Sequence, residues 1–311
     1  MKGVKMPNVG QVELPCTKKE LIIVVGAEDH YGGASAVPHR LMFMAQAVRQ
    51  VKMTHAKYDK VSVFWFQGKK IADGCSTSGD IDSNCYGQYT PRQIKSFEAA
   101  LKQYVSKDKL LIKEAKSFDD VSTQANKKTV VINGKTCNKK VRDMYFFGHG
   151  TPDVGFWLTQ NDSGHYLGLK NNVYKIKSES FYKLSNKKAQ VFFYSCQTGN
   201  SYAWKDEKTS YSNYIQELKD KSSAQFVANK WRVTVKASMR RTNYSPTWQT
   251  GFYGYLDTVT RTRTNIDGKM WEDNGADAPM ISGDSSWQDD SGNDGIDTPS
   301  VPQGYFDYEP K

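Results

Sequence analysis

Leu21-Ile22-Ile23-Val24-Val25 is an unbroken apolar, largely β-branched run that stops at Gly26-Ala27. A short run with no polar alternation predicts a strand covered on both faces, as in a parallel sheet. Val61–Phe66, Asp143–Phe147 and Ala189–Tyr194 read the same way, with shorter strands at Leu110–Ile112, Val130–Ile132, Gly155–Leu158 and Val233–Val235. Ala224-Gln225-Phe226-Val227-Ala228 is also read as a strand. Between them the period changes. Leu41, Met44, Ala45 and Val48 follow Pro38 at helical spacing, and Ile94, Phe97, Ala100, Leu101 and Tyr104 follow Thr90-Pro91. Pro at the first helical position and apolar residues three and four apart predict amphipathic helices. Phe118–Ala125, Ser180–Leu184 and Ser210–Leu218 are further predicted helices. Strands alternating with helices predict an α/β fold, a mostly parallel sheet flanked by helices.

Outside this alternating region the pattern fades. Residues 1–19 read as an extended lead-in and residues 20–264 as the folded domain. Residues 265–311, rich in Gly, Asp, Ser and Pro, read as a disordered or loosely docked tail. Charge divides at the same boundary. The tail holds 11 acidic and 2 basic residues, leaving 22 acidic and 41 basic before it, so the body is +19 and the tail −9. The lysines are scattered and accompany no nucleic-acid motif, which argues against a specific nucleic-acid binder. An anionic activator or an acidic partner for the basic body stays open. No apolar run approaches the roughly 20 residues of a membrane helix. No apolar stretch precedes Lys18-Lys19-Glu20 as a signal peptide would require. The expected compartment is the cytoplasm, or the exterior by a route without a cleaved signal.

The five cysteines, at 16, 75, 85, 137 and 196, include no C-x-x-C pair, so neither a zinc site nor a dense disulfide framework is expected. Cys75 and Cys85 share one loop-like stretch where they have the opportunity to pair. The favoured expectation is five free thiols in a reducing cytosol.

Two of the predicted strands end in reactive side chains. Tyr145-Phe146-Phe147 runs into Gly148-His149-Gly150, and Phe192-Phe193-Tyr194 runs into Ser195-Cys196-Gln197-Thr198-Gly199. Ligands of open parallel sheets gather beyond the carboxyl ends of the strands. Neighbouring strands would therefore bring His149 and Cys196 to one edge, as a thiol nucleophile and its base require. The amides of Gly150 and Cys196 then suit an oxyanion hole. The alternative reading is a packed cysteine and a turn histidine.

At these residues the chain resembles the clan CD cysteine peptidases: caspases, legumains, gingipains, clostripain, separase and the CHAT domains. Ser195-Cys196-Gln197-Thr198-Gly199 is similar to the Cys-x-Ser/Thr-Gly of legumain and CHAT members, not to the caspase Gln-Ala-Cys-x-Gly. Position 195 is Ser where family members usually carry Ala. His149 precedes Cys196 by 47 residues, near the roughly 50 of caspases. By element order the resemblance spans about residues 20–240. Its specific part is the two strand ends.

The resemblance implies a caspase-like fold and a cysteine endopeptidase acting on protein or peptide substrates through a thioester. Cys196 is then the nucleophile, His149 the general base and acid, and no metal or organic cofactor is needed. Family substrate pockets lie near the end of the first strand. This makes Glu28, Asp29 and His30 substrate-binding candidates, with Ser195 beside the nucleophile. Two other classes remain: a catalytically inactive caspase-like interaction module, and an anion-activated toxin or defence peptidase.

Overall fold

The computed structural model describes residues 16–27, 37–68, 89, 91–152, 155–160, 166–184, 187–201, 210–240 and 304–311. The chain starts with β1 (Thr17–Val25), α1 (Val37–Thr54), β2 (Lys60–Phe66), α2 (Pro91–Tyr104), β3 (Leu110–Ala115) and α3 (Phe118–Asn126). It continues through β4 (Thr129–Ile132), β5 (Lys135–Phe147), β6 (Gly150–Thr151), β7 (Gly155–Gln160), β8 (Tyr166–Gly168), β9 (Lys183–Leu184) and β10 (Lys187–Lys188). It closes with β11 (Gln190–Tyr194), α4 (Tyr211–Asp220), α5 (Ser223–Trp231), β12 (Thr234–Ser238) and β13 (Tyr305–Tyr308).

The main sheet has the order β13-β12-β11-β5-β1-β2-β3, with β4 added antiparallel to the first half of β5. Every other pairing in it is parallel except β12 with β13. The protein is thus α/β with a mostly parallel mixed sheet. From β1 the chain winds outward through β2 to β3, then returns to the other side of β1 as β5 and continues outward through β11 and β12. The winding reverses between β1 and β5, the place where such sheets open a crevice at their carboxyl ends.

The central strands are apolar on both faces because both faces are covered. Leu21, Ile23, Val25, Val63, Trp65, Tyr145 and Phe147 pack on one side with Phe43, Ala47 and Val51 of α1 and with Phe97 and Leu101 of α2. Ile22, Val24, Phe64, Met144, Phe146, Val191 and Phe193 pack on the other with Val121 of α3 and with Val227 and Trp231 of α5. One charged pair sits inside this apolar frame. Glu20 and Lys139 are ion-paired and essentially inaccessible, and Glu20 Oε1 also accepts from Ser62 Oγ and Gln124 Nε2, each at 2.6 Å. Burial pulls the Lys139 ammonium below its ordinary range, and the Glu20 carboxylate opposes that pull. Every donor and acceptor being met is what makes such a burial tolerable.

Four expectations need correction. Ala224–Ala228 is helical, inside α5. The Ser222 hydroxyl caps it by accepting from Gln225 N, and Ala224, Val227, Ala228 and Trp231 form a buried stripe at helical spacing. A five-residue segment is too short to show a helical period of its own, and the cap decides it. Ser180–Leu184 is not a helix. Ser180 ends a short 3-10 turn, and Lys183–Leu184 pairs with Lys187–Lys188. The tail is not loose throughout, because residues 305–308 form the edge strand β13. The thiols are not all free, because Cys16 and Cys137 form a disulfide. Those two residues are 121 positions apart, and pairing of β1 with β5 brings their Cα atoms to 5.0 Å. Cys75 and Cys85 lie outside the described residues. Among the described residues no helix is long and apolar enough to cross a membrane.

Candidate active site

β5 and β11 are adjacent and parallel, with Phe147 opposite Tyr194. The chain continues two residues further on each strand, to His149 and to Cys196, at the same edge of the sheet. Cys196 is half-buried and is not part of a disulfide. The shared register is what a dyad drawn from two strands needs, since a slip of one residue would turn one side chain to the opposite face.

Glycines let the two strand ends meet. A Cβ on Gly150 would lie 2.6 Å from the carbonyl oxygen of Cys196 and 3.0 Å from Cβ of Ser195. Both obstacles are at or near the backbone, so the segment after the histidine lies directly on the cysteine loop, and only glycine allows it. Gly148 plays the same part beneath the histidine, where an added Cβ would fall 2.7 Å from the ring of Phe156.

The imidazole of His149 is set between aromatic rings. Phe43 of α1 meets it edge-on at 5.1 Å between centroids, and Trp157 of β7 lies at 5.8 Å, tilted. The backbone is fixed as well, because Trp157 N–H donates to the His149 carbonyl at 2.9 Å. The indole nitrogen of Trp157 donates to Thr151 Oγ1 at 3.2 Å, which holds the ring in place.

The cysteine loop, residues 195–200, is held along its length. Gln197 has φ 50°, a left-handed turn directly after the cysteine. Its N–H donates to the Arg240 carbonyl at 3.0 Å, and Gly199 N–H donates to the Ser238 carbonyl at 2.9 Å. Ser195 is fully buried and its hydroxyl donates to Thr198 Oγ1 at 3.4 Å. It therefore braces the loop from inside and offers no surface to a substrate. Glu28, Asp29 and His30 lie outside the described residues.

Beneath the site the rings of Tyr145, Phe147, Phe192 and Tyr194 stack across β5 and β11, with planes within 12° of one another. Burial pushes the Tyr194 phenol up to about 12, against the pull of Arg49. Tyr305 of β13 meets Tyr194 edge-on at 5.3 Å. Its phenol is driven well above the ordinary range by burial first, then by Tyr194 and Cys196. Phe43, Trp157 and Tyr305 were not legible as site residues. The one hint was Tyr305-Phe306-Asp307-Tyr308, an aromatic alternation inside an otherwise Gly- and Asp-rich stretch. Among the described residues no group of three or more His, Cys, Asp or Glu side chains converges as a metal site would. No protein-family model matches the chain, and no curated protein matches it.

Proposed function

We propose that this chain is a cysteine endopeptidase of caspase-like architecture, with Cys196 as nucleophile and His149 as its base and acid. The observation that carries the reading is the parallel register of β5 and β11, which ends both strands at one edge with Gly150 against the Cys196 carbonyl. The carboxyl edge beside the reversal of winding is also where an α/β sheet binds its ligands.

The reaction follows from the groups at hand. The Cys196 thiol passes its proton to the His149 imidazole, and the thiolate attacks the scissile carbonyl carbon. Negative charge develops on the carbonyl oxygen, which the N–H groups of Gly150 and Cys196 receive. The imidazolium gives its proton to the leaving amine as the C–N bond breaks, which leaves a thioester on Cys196. Water, deprotonated by His149, then releases the acid and restores the thiol. Phe43 and Trp157 take the part of an orienting third group, limiting the rotations open to the imidazole.

The Cys16–Cys137 disulfide favours an oxidising compartment, and with it export of the protein, over the cytosol. The experiment is labelling with acyloxymethyl ketone probes that vary the residue before the scissile bond, on wild type, Cys196→Ala and His149→Ala. Labelling that needs both residues supports the dyad, and the best probe gives the specificity. Absence of labelling in every arm, including arms with added inositol phosphate or another polyanion, sinks the peptidase reading in favour of an interaction module.

A further inference from the structure

The loop that presents Cys196 is tied to two kinds of neighbour. Most ties come from elements close by in the fold and near in sequence. Ser238, Met239 and Arg240 at the end of β12 accept from Gly199 N, Asn200 Nδ2 and Gln197 N, and Ala224 N at the start of α5 donates to the Thr198 carbonyl. One tie comes from 109 residues away. The hydroxyl of Tyr308, in β13, donates to the Gly199 carbonyl at 2.6 Å, in a buried setting. The fit is mutual, because a Cβ on Gly199 would overlap the Tyr308 hydroxyl oxygen. At the other end of the same strand, Tyr305 stands edge-on against Tyr194, the last residue of β11. β13 thus touches the chain two residues before Cys196 and three residues after it.

The strand has its own anchors, away from the site. Lys219 of α4 lies over the rings of Phe306 and Tyr308 at 5.5 and 5.1 Å. Gln225 Nε2 donates to the Glu309 carbonyl at 2.7 Å, Thr234 Oγ1 to Glu309 Oε1 at 2.9 Å, and Arg232 to the Lys311 carbonyl at 2.8 Å. A strand fixed independently of the loop is able to impose a position on it.

We propose that Tyr308 is a positioning residue for Cys196, so that docking of the carboxy-terminal strand on β12 sets the geometry of the nucleophile through Gly199. The proposal rests on Cys196 being the nucleophile. Tyr308 touches no reacting atom. Its hydroxyl fixes one carbonyl of the loop, and the loop carries the thiol.

The test is Tyr308→Phe in the full chain, which removes one oxygen and keeps the ring. Thr234→Ala serves as the comparison, since it removes a bond to Glu309, the residue just after the same strand, without touching the loop. Two readouts are taken across pH: hydrolysis of the best peptide substrate, and the rate at which iodoacetamide alkylates Cys196, followed by mass spectrometry of that peptide. Misplacement of a reacting group by about 1 Å costs up to about 100-fold. Tyr308→Phe is therefore expected to lower kcat by about 10- to 100-fold with KM unchanged, and to shift the pH profile of Cys196 alkylation. Thr234→Ala is expected to lower Tm and leave both readouts as in wild type. Wild-type kcat and a wild-type alkylation profile in Tyr308→Phe would overturn the proposal, as would an equal loss in Thr234→Ala. If wild type hydrolyses no peptide, the peptidase reading fails, and the alkylation profiles still decide whether Tyr308 governs the thiol.

Discussion

Phe147 and Tyr194 face each other across β5 and β11 with ring centroids 5.3 Å apart and planes 5° from parallel. The pair is the last in-register contact before the two strands part into the histidine and cysteine loops. Stacked rings contribute about 0.5–1.5 kcal/mol beyond their burial. Here they also hold the two loops at a common height, so the spacing of the candidate dyad is set one step below the chemistry.

Gly150→Ala tests the contact between the loops. Its methyl group would meet the Cys196 carbonyl at 2.6 Å, and a carbonyl is backbone, which cannot swing aside as a side chain does. On the proposed mechanism the displaced amide leaves the oxyanion position, where loss of one donor costs about 100- to 1,000-fold in kcat. Steady-state kinetics with an unchanged circular dichroism spectrum is the expected result. Wild-type kcat in the alanine variant would remove Gly150 from the mechanism.

The buried Glu20–Lys139 pair is expected to respond asymmetrically. Lys139→Met leaves the Glu20 carboxylate buried without its cation and should cost about 3–5 kcal/mol in urea unfolding. Glu20→Leu combined with Lys139→Met removes both charges and should recover most of that loss. Equal costs for the single and double variants would mean that the pair is not coupled as its geometry implies.

Asp143 gives a pH signature. Burial raises its carboxyl above the ordinary value, against the Tyr58 hydroxyl that donates to it, the neighbouring Arg142 guanidinium, the Gln190 N–H and Lys57. A carboxyl raised in the folded state binds its proton more tightly there than when unfolded. Its contribution to stability is therefore full below the unfolded value of about 3.9 and is lost as pH rises through the folded value. Relative to Asp143→Asn, the wild type should lose stability over that rise. Parallel stability–pH curves for the two proteins would refute the assignment.

The disulfide closes a long loop, with 121 positions between Cys16 and Cys137. Removing a bond of this kind costs about 2–5 kcal/mol. Cys137→Ser, or reduction of the wild type, should lower Tm accordingly. Cys196 should keep its reactivity toward the probe at temperatures below the new transition, because the disulfide joins the amino end of β1 to β5 and the thiol sits at the carboxyl edge.

Much of the frame was legible because burial on both faces leaves a local mark. Leu21–Val25 and Val191–Phe193 are apolar without alternation, and Thr90-Pro91 marks the start of α2. The candidate pair was legible for the same reason, since His149 and Cys196 sit where two such runs stop. The misreadings are long-range in origin. α5 needed the Ser222 cap to separate it from a strand, and Ala224–Ala228 alone has too few residues to show a period. Tyr308 is joined to Gly199 across 109 positions and Cys16 to Cys137 across 121, and neither partner carries a local sign of the other. Phe43 faces His149 only because α1 folds back over the sheet.

The place of β13 in the chain has a consequence for synthesis. It pairs with β12, yet 67 positions separate Ser238 from its partner Tyr305. At roughly 5–20 residues per second, a translating ribosome needs about 3 to 13 seconds to pass from one to the other. Through that interval every other described strand of the sheet has been made, and the Gly199 carbonyl still lacks the Tyr308 hydroxyl. A nascent chain would carry its thiol in a loop tied to β12 and α5 but still lacking its bond to Tyr308, so on the reading proposed above the final setting of the nucleophile would wait for β13.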